Sequence, residues 1–109
     1  KIERNFITGL HVQKIDRALQ NYLKLNNQTG VIITNIDRNS SGERAGLQTG
    51  DIILFVEGRS INSVTDILQI INEGLRKTGD FVLLQISRDN KILNMNLELE
   101  SVNKNEVSY

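Results

Sequence analysis

Ala45-Gly46-Leu47-Gln48-Thr49-Gly50-Asp51, running straight into Ile52-Ile53-Leu54-Phe55-Val56, is the stretch on which the fold turns. Gly46 and Gly50 stand where a chain leaving a short helix turns with positive φ, a conformation that costs other L-residues energy. Leu47, held between them, is left to point inward. Just upstream, Ser40 and Glu43 have the spacing of a capping box, Ser40 bonding the amide of Glu43 while Glu43 reaches back. The spacing predicts one helical turn over Ser41 to Ala45, a stop at Gly46, a tight Gly50-Asp51 corner and a buried strand. Glu57-Gly58 then ends that strand in another turn.

Working outward, Phe6-Ile7-Thr8-Gly9-Leu10-His11-Val12 reads as a half-buried strand preceded by a glycine turn. Leu10 and Val12 fall on one side, His11 and Gln13 on the other. Asp16 is placed to cap a helix over Arg17 to Leu23, whose apolar positions Ala18, Leu19, Tyr22 and Leu23 recur at helical spacing. Asn26 to Gly30 closes it in a loop, and Val31 to Ile36 is a β-rich core strand. A further helix is predicted within Ile61 to Leu75, with Ser63 and Asp66 as a second capping pair. Its apolar residues form two stripes: Val64, Leu68 and Ile71 lie at i, i+4 and i+7, with Ile67 and Ile70 to one side. Such a helix buries two flanks, or covers a core with one and offers a groove with the other. Phe81 to Ser87 and Ile92 to Glu100 read as two strands of a hairpin around Arg88-Asp89-Asn90-Lys91. Leu93, Met95, Leu97 and Leu99 alternate cleanly with polar neighbours.

Composition narrows the function. A chain of 109 residues with 39% hydrophobic and 24% charged residues builds one globular core. The 13 basic and 13 acidic residues balance and are scattered, which leaves no basic face for phosphates and argues against a nucleic-acid partner. The aromatic residues do not interleave with Lys or Arg as a stacking platform requires. No apolar run approaches the roughly 18 residues of a membrane span, and no leader pattern opens the chain. It starts at Lys1 rather than Met, which suggests a piece of a longer protein.

No catalytic residue emerges. Nucleophilic serine chemistry needs a base beside the hydroxyl, and His11 is the single histidine, on the polar side of a strand. One His without Cys makes no zinc shell, the acidic residues lack calcium-loop spacing, and Gly46-x-x-x-Gly50 lacks the Lys-Ser/Thr of a phosphate loop. No metal and no cofactor is expected.

The order Gly30-Val31-x-Ile33, Asn39-Ser40-Ser41-x-x-x-Ala45-Gly46-Leu47-x-x-Gly50-Asp51-Ile52-Ile53, Glu57-Gly58 and Ile61-Asn62-Ser63 resembles a bacterial PDZ domain. The likeness runs from Phe6 to Leu99 and is greatest to the PDZ domains of HtrA/Deg serine proteases. It implies a mostly β fold with two helices, α+β by content. The sheet would be a partly open barrel or sandwich in the bacterial, circularly permuted arrangement, in which the groove strand opens the domain. The domain is expected over 6–100, with a linker at 1–5 and a flexible tail or linker at 101–109. One departure stands inside the likeness: the family often has Ser-Pro-Ala where this chain has Ser40-Ser41-Gly42. The exchange is expected to loosen the short helix without touching the groove.

The resemblance further implies a peptide-binding site. Thr8-Gly9-Leu10 matches the carboxylate-binding loop, with Thr8 where a large apolar residue is common; amides of Gly9 and Leu10 would meet a peptide's terminal carboxylate. Strand Leu10 to Lys14 would take the peptide as an added strand, and the helix Val64 to Leu75 would form the facing wall. Leu10, Val12, Leu68 and Ile71 would surround the terminal side chain, Val64 would guard a site further along, and Ile67 and Ile70 would turn to the core. His11 would stand at the rim and lend affinity a mild pH dependence. Ile71→Glu is expected to abolish binding without unfolding the domain.

By the same likeness the partners are C-termini or exposed hydrophobic segments of unfolded proteins and an upstream protease domain carrying its own His, Asp and Ser. The parent would be a homo-oligomer in the periplasm or cell envelope. The alternatives are a PDZ domain of a site-2-type metalloprotease, a tail-specific protease or a type II secretion component, or a scaffold serving no protease.

Overall fold

A computed structural model describes residues 6–24, 30–73 and 76–101. The expected linker at 1–5, most of the loop after the first helix, the end of the later helix at Leu75 and the tail beyond Ser101 lie outside the described residues.

Among the described residues eight strands and three short helices follow one another: β1 (Phe6–Ile7), β2 (Leu10–Lys14), α1 (Arg17–Tyr22), β3 (Val31–Ile36), α2 (Ser41–Arg44), β4 (Ile52–Val56), β5 (Arg59–Ser60), α3 (Val64–Asn72), β6 (Phe81–Arg88), β7 (Lys91–Glu98) and β8 (Glu100–Ser101). This is the mostly β, partly open arrangement expected, the third helix being the single turn at Ser41. One antiparallel sheet runs β2-β3-β4-β6-β7, with β5 paired to β4. Separately, β1 pairs with β8, joining Phe6 to Ser101 and Ile7 to Glu100.

The organising stretch folds for the reasons legible in it. Ser40 Oγ accepts from the Glu43 amide at 3.2 Å, and the Glu43 carboxylate reaches back one residue further than a standard box, to the Asn39 amide at 2.9 Å. At the other end of α2, Gly46 has φ of 89°. Its amide donates to the Glu43 carbonyl while that of Leu47 donates to the Gly42 carbonyl. That pair of bonds is a Schellman stop, and it delivers Leu47 into the core. The Gly50-Asp51 corner is zipped to β3 by bonds from the Gly50 amide to the Ile33 carbonyl and from the Ile33 amide to the Asp51 carbonyl.

Asp51 closes the corner from within. Its side chain is 1% exposed and accepts from the Gln48 amide at 2.8 Å. It also takes both arms of Arg88 on β6, Nε at 2.8 Å and Nη2 at 2.7 Å. Arg88 Nη2 also donates to the Gly46 carbonyl at the end of α2. The hydrogen bonds it donates to Asp51 hold the Arg88 guanidinium above its ordinary pKa, so it stays cationic.

Val31 to Ile33 of β3 and Ile52-Ile53 of β4 are buried on both faces of the sheet, which accounts for their apolar runs. Val31, Ile33 and Ile53 enter the main core with Ile61, Ile70, Val82, Leu84 and Leu97. Ile32 and Ile52 form a second cluster with Ile15, Leu19 and Leu54 on the opposite face. Helix α1, capped by Asp16 Oδ1 on the Leu19 amide at 2.7 Å, contributes only Leu19 to that cluster. Tyr22, 82% exposed, and Leu23 stay outside, because six residues make too short a helix to lay a whole stripe on the sheet. Phe55 is also exposed, although it lies in the predicted buried strand. The register against β6 slips between Ile53 and Phe55, and this bulge changes the phase so that Val56 faces the core in its place. The expected strand Ile92 to Glu100 is two: Leu99, fully buried, separates β7 from β8.

Candidate functional site

Strand β2 pairs with β3 alone, so its other edge is free among the described residues. Which backbone groups line that edge follows from those already engaged. The Gly9 carbonyl accepts from the Asp37 amide at 2.8 Å, and the Ile15 amide donates to the Gly30 carbonyl at 3.2 Å. The His11 carbonyl accepts from Thr34 Oγ1 at 3.1 Å. Odd-numbered residues thus spend their backbone on the β3 side. By the alternation of an antiparallel ladder, Leu10, Val12 and Lys14 turn theirs to the open edge.

Across from this edge lies α3, started by Ser63, whose hydroxyl accepts from the Asp66 amide at 3.3 Å, while Asp66 accepts from the Asn62 amide at 2.8 Å. The helix covers Val64–Asn72, shorter than its apolar pattern suggested, and Ile61 packs into the core ahead of it. Between β2 and α3 runs a groove of about 400 Å³. Thr8, Gly9, Leu10, His11 and Val12 line it on the strand side and Val64, Leu68 and Ile71 on the helix side; Ile53, Leu84 and Leu97 lie beneath. All eight residues singled out in the sequence therefore border one cavity.

Three expectations are corrected in that cavity. Ile67 lines the groove as well as packing on the core, whereas Ile70 is buried in the core alone. At 100° per residue Ile67 lies only a short arc from Val64 and Ile71, so the two stripes merge at the groove. Ile71 is just 7% exposed and belongs to the core cluster, so Glu at this position would bury a charge and cost the fold itself. On α3 it is Leu68, 54% exposed, that presents free apolar surface.

The third correction concerns Ser41-Gly42, which does touch the groove. The Gly42 amide donates to the Thr8 carbonyl at 2.8 Å, and a Cβ built on Gly42 would lie 2.5 Å from Leu10 Cδ2 and 2.9 Å from the Thr8 oxygen. Gly9, with φ of +75°, presses on Ser40 so closely that it too has no room for a side chain. The contact of these two glycine-containing segments was not legible because they stand some thirty residues apart.

This docking orients the loop amides. A trans peptide plane points its N–H opposite to its C=O. With the Thr8 carbonyl turned to Gly42, the Gly9 N–H is aimed away from α2; with the Gly9 carbonyl turned to Asp37, the Leu10 N–H is aimed at the free edge. Thr8 Oγ1 accepts from that Leu10 amide at a long 3.4 Å. The Leu10 amide, with the Thr8 hydroxyl beside it, thus faces the open edge next to the apolar groove, where a peptide carboxylate would find a donor. At the rim, His11 Nε2 meets Asp37 Oδ1 at 2.8 Å, both side chains about half exposed. Among the described residues no cluster of His, Cys, Asp and Glu is arranged to hold a metal. No described helix is long and apolar enough to cross a membrane.

Comparison with known proteins bears on this geometry. Residues 8–99 match a family model described as PDZ domain. The periplasmic serine endoprotease DegP of Escherichia coli (strain K12) is 29% identical over 99 residues, covering 91% of this chain and 20% of that protein. The serine protease Do-like HtrA of Lactobacillus helveticus is 32% identical over 78 residues, 72% of this chain and 18% of the relative. The chain therefore spans about a fifth of the length of these relatives. Among solved structures, the HtrA3 PDZ domain bound to a phage-derived ligand (FGRWV) superposes with a TM-score of 0.76 at 25% identity, over 92% of this chain and 89% of that one. The HtrA-type protease AlgW with decapeptide has the same fold, with a TM-score of 0.78 at 19% identity over 90% of this chain and 29% of its own.

Proposed function

The chain belongs to the PDZ domain family, and from that premise we propose that it is the peptide-binding module of an HtrA/Deg-like serine endopeptidase. It takes the C-terminus or an exposed hydrophobic segment of an unfolded protein as an added strand on β2 and so regulates the attached protease. The observation that carries this reading is the free edge of β2 facing α3 across an apolar groove lined by the Thr8-Gly9-Leu10 loop. An envelope location is supported by relatives named periplasmic endoproteases.

Energetics set the character of the binding. Burying one apolar side chain contributes roughly 1.5–3 kcal/mol, while micromolar affinity needs about 8 kcal/mol. One pocket is insufficient, so main-chain bonds along Leu10 to Lys14 and charge-assisted bonds to the carboxylate share the task. Because most of this is backbone, recognition is weak and tolerant of sequence.

The test is an amide-shift titration with a short peptide ending in an apolar residue, beside its C-terminally amidated twin. Shifts over 8–14 and along α3, much weakened by amidation, are expected. Equal shifts with both peptides would show that the groove reads internal segments, and none with either would remove the peptide-binding reading.

Alternation along the added strand makes a finer prediction. A ligand residue lying across from His11 faces the same side as His11, toward Asp37. A penultimate Lys is therefore expected to bind about two- to fivefold tighter than a penultimate Glu, the scale of an exposed ion pair. Asp37→Asn should narrow the difference, and identical affinities of the two peptides in the parent domain would count against this seating.

A further inference from the structure

Resting on the peptide-binding reading, we infer that Gly42, on a helix outside the groove wall, is a specificity-determining position that sets the room for the ligand's terminal side chain. Leu10 is the link. It borders the groove on one side, and on the other its Cδ2 and Cγ occupy the space a side chain at residue 42 would need. With glycine at 42, Leu10 sinks against α2 and the groove keeps its full width at the closed end. A methyl group there would meet Leu10 Cδ2 at 2.5 Å, the Thr8 carbonyl oxygen at 2.9 Å and Leu10 Cγ at 3.0 Å, closer than packed atoms approach.

Either residue 42 and the Thr8 carbonyl bonded to it draw apart, or Leu10 yields, with different effects. Residue 42 cannot retreat easily: its amide bonds the Thr8 carbonyl and its carbonyl takes the Leu47 amide that closes the helix. The Ser40 hydroxyl at the start of the same turn is likewise tied, donating to the Asp37 carbonyl at 2.7 Å. Leu10 is only partly buried and has open groove beside it, so Leu10 moves. Its displacement fills the end of the groove where a peptide's last side chain would sit. Residue 42 is thus a positioning residue acting through Leu10, and the direction of its effect is fixed: a larger side chain selects a smaller ligand terminus.

The experiment uses two acetylated pentapeptides identical except for a terminal Phe or a terminal Val, titrated into the parent domain and the variants Gly42→Ala, Leu10→Val and the double variant. Gly42→Ala is expected to weaken the Phe peptide about tenfold, the scale of one methylene too many in an apolar pocket, with the Val peptide changed far less. Leu10→Val removes the colliding methyl and is expected to restore Phe binding in the double variant. Alone, it should shift preference further toward Phe, which keeps the test available if Gly42→Ala folds poorly. Equal loss for both peptides, or no rescue by Leu10→Val, would overturn the inference while peptide binding by the parent domain stands. Failure of the parent to bind either peptide would instead sink the reading on which it rests.

Discussion

Replacing Arg88 by Met is expected to lower the stability of the domain by about 3 kcal/mol, the low end for breaking a buried ion pair because Arg88 keeps some solvent contact. Asp51 is nearly inaccessible, and without the guanidinium its carboxylate retains only the Gln48 amide as partner. For a domain of this size the thermal midpoint should fall by on the order of 10–20 °C. The double variant Asp51→Asn with Arg88→Met should lose less than the sum of the single losses, because each single change strands the other partner. A midpoint within a few degrees of the parent would refute the view that this pair ties α2, the Gly50 corner and β6 together. The sign of the pH dependence follows from the raised Arg88 pKa. A cation stabilised by folding contributes fully below its unfolded pKa and loses the contribution as pH rises through the folded value. That value lies above the ordinary guanidinium range, so the pair does not weaken from neutral into moderately alkaline solution.

The second large effect is on binding. Leu68→Glu is expected to reduce peptide affinity more than about tenfold, since the contact of one apolar side chain is worth over 1.4 kcal/mol and a charge is placed beside an apolar ligand. Stability should hardly change, because Leu68 is largely exposed and helical Glu is well tolerated. Ile71→Glu should behave differently, losing several kcal/mol of stability along with binding. Denaturation and peptide titration of both variants separate groove from core. Undiminished binding by Leu68→Glu would remove α3 as the groove wall.

What could be read from the sequence was local. The turn at Gly46, the caps at Asp16, Ser40 and Ser63, and the alternation along β7 each depend on neighbours within about four residues, and these gave the element order and the family resemblance. The placement of Thr8 to Val12 opposite Val64 to Ile71 came from that resemblance, since periodicity alone describes an apolar helix without naming its other side. What escaped depends on distant pairs. A β-bulge at Leu54 exchanges Phe55 for Val56 in the core, and no propensity records the register of a strand not yet paired. Glu57 accepts from the Leu83 amide at 2.5 Å and Arg44 reaches Glu100; both bonds cross the fold. Gly42 looked like a loosened helix because its real neighbour, Leu10, is invisible from its own segment.

The pairing of β1 with β8 has a mechanical consequence. Phe6 lies beside Ser101 and Ile7 beside Glu100, so the chain enters and leaves the domain at the same end of a two-stranded ribbon. Tension applied through the flanking polypeptide pulls the ribbon open like a zip, one residue pair at a time, rather than shearing it. The large sheet is spared at first. Once the ribbon parts, the load passes directly to Thr8 and Gly9, whose anchor is the Gly42 amide. The Thr8-Gly9 loop that borders the groove is thereby the next part of the domain to bear tension after the ribbon.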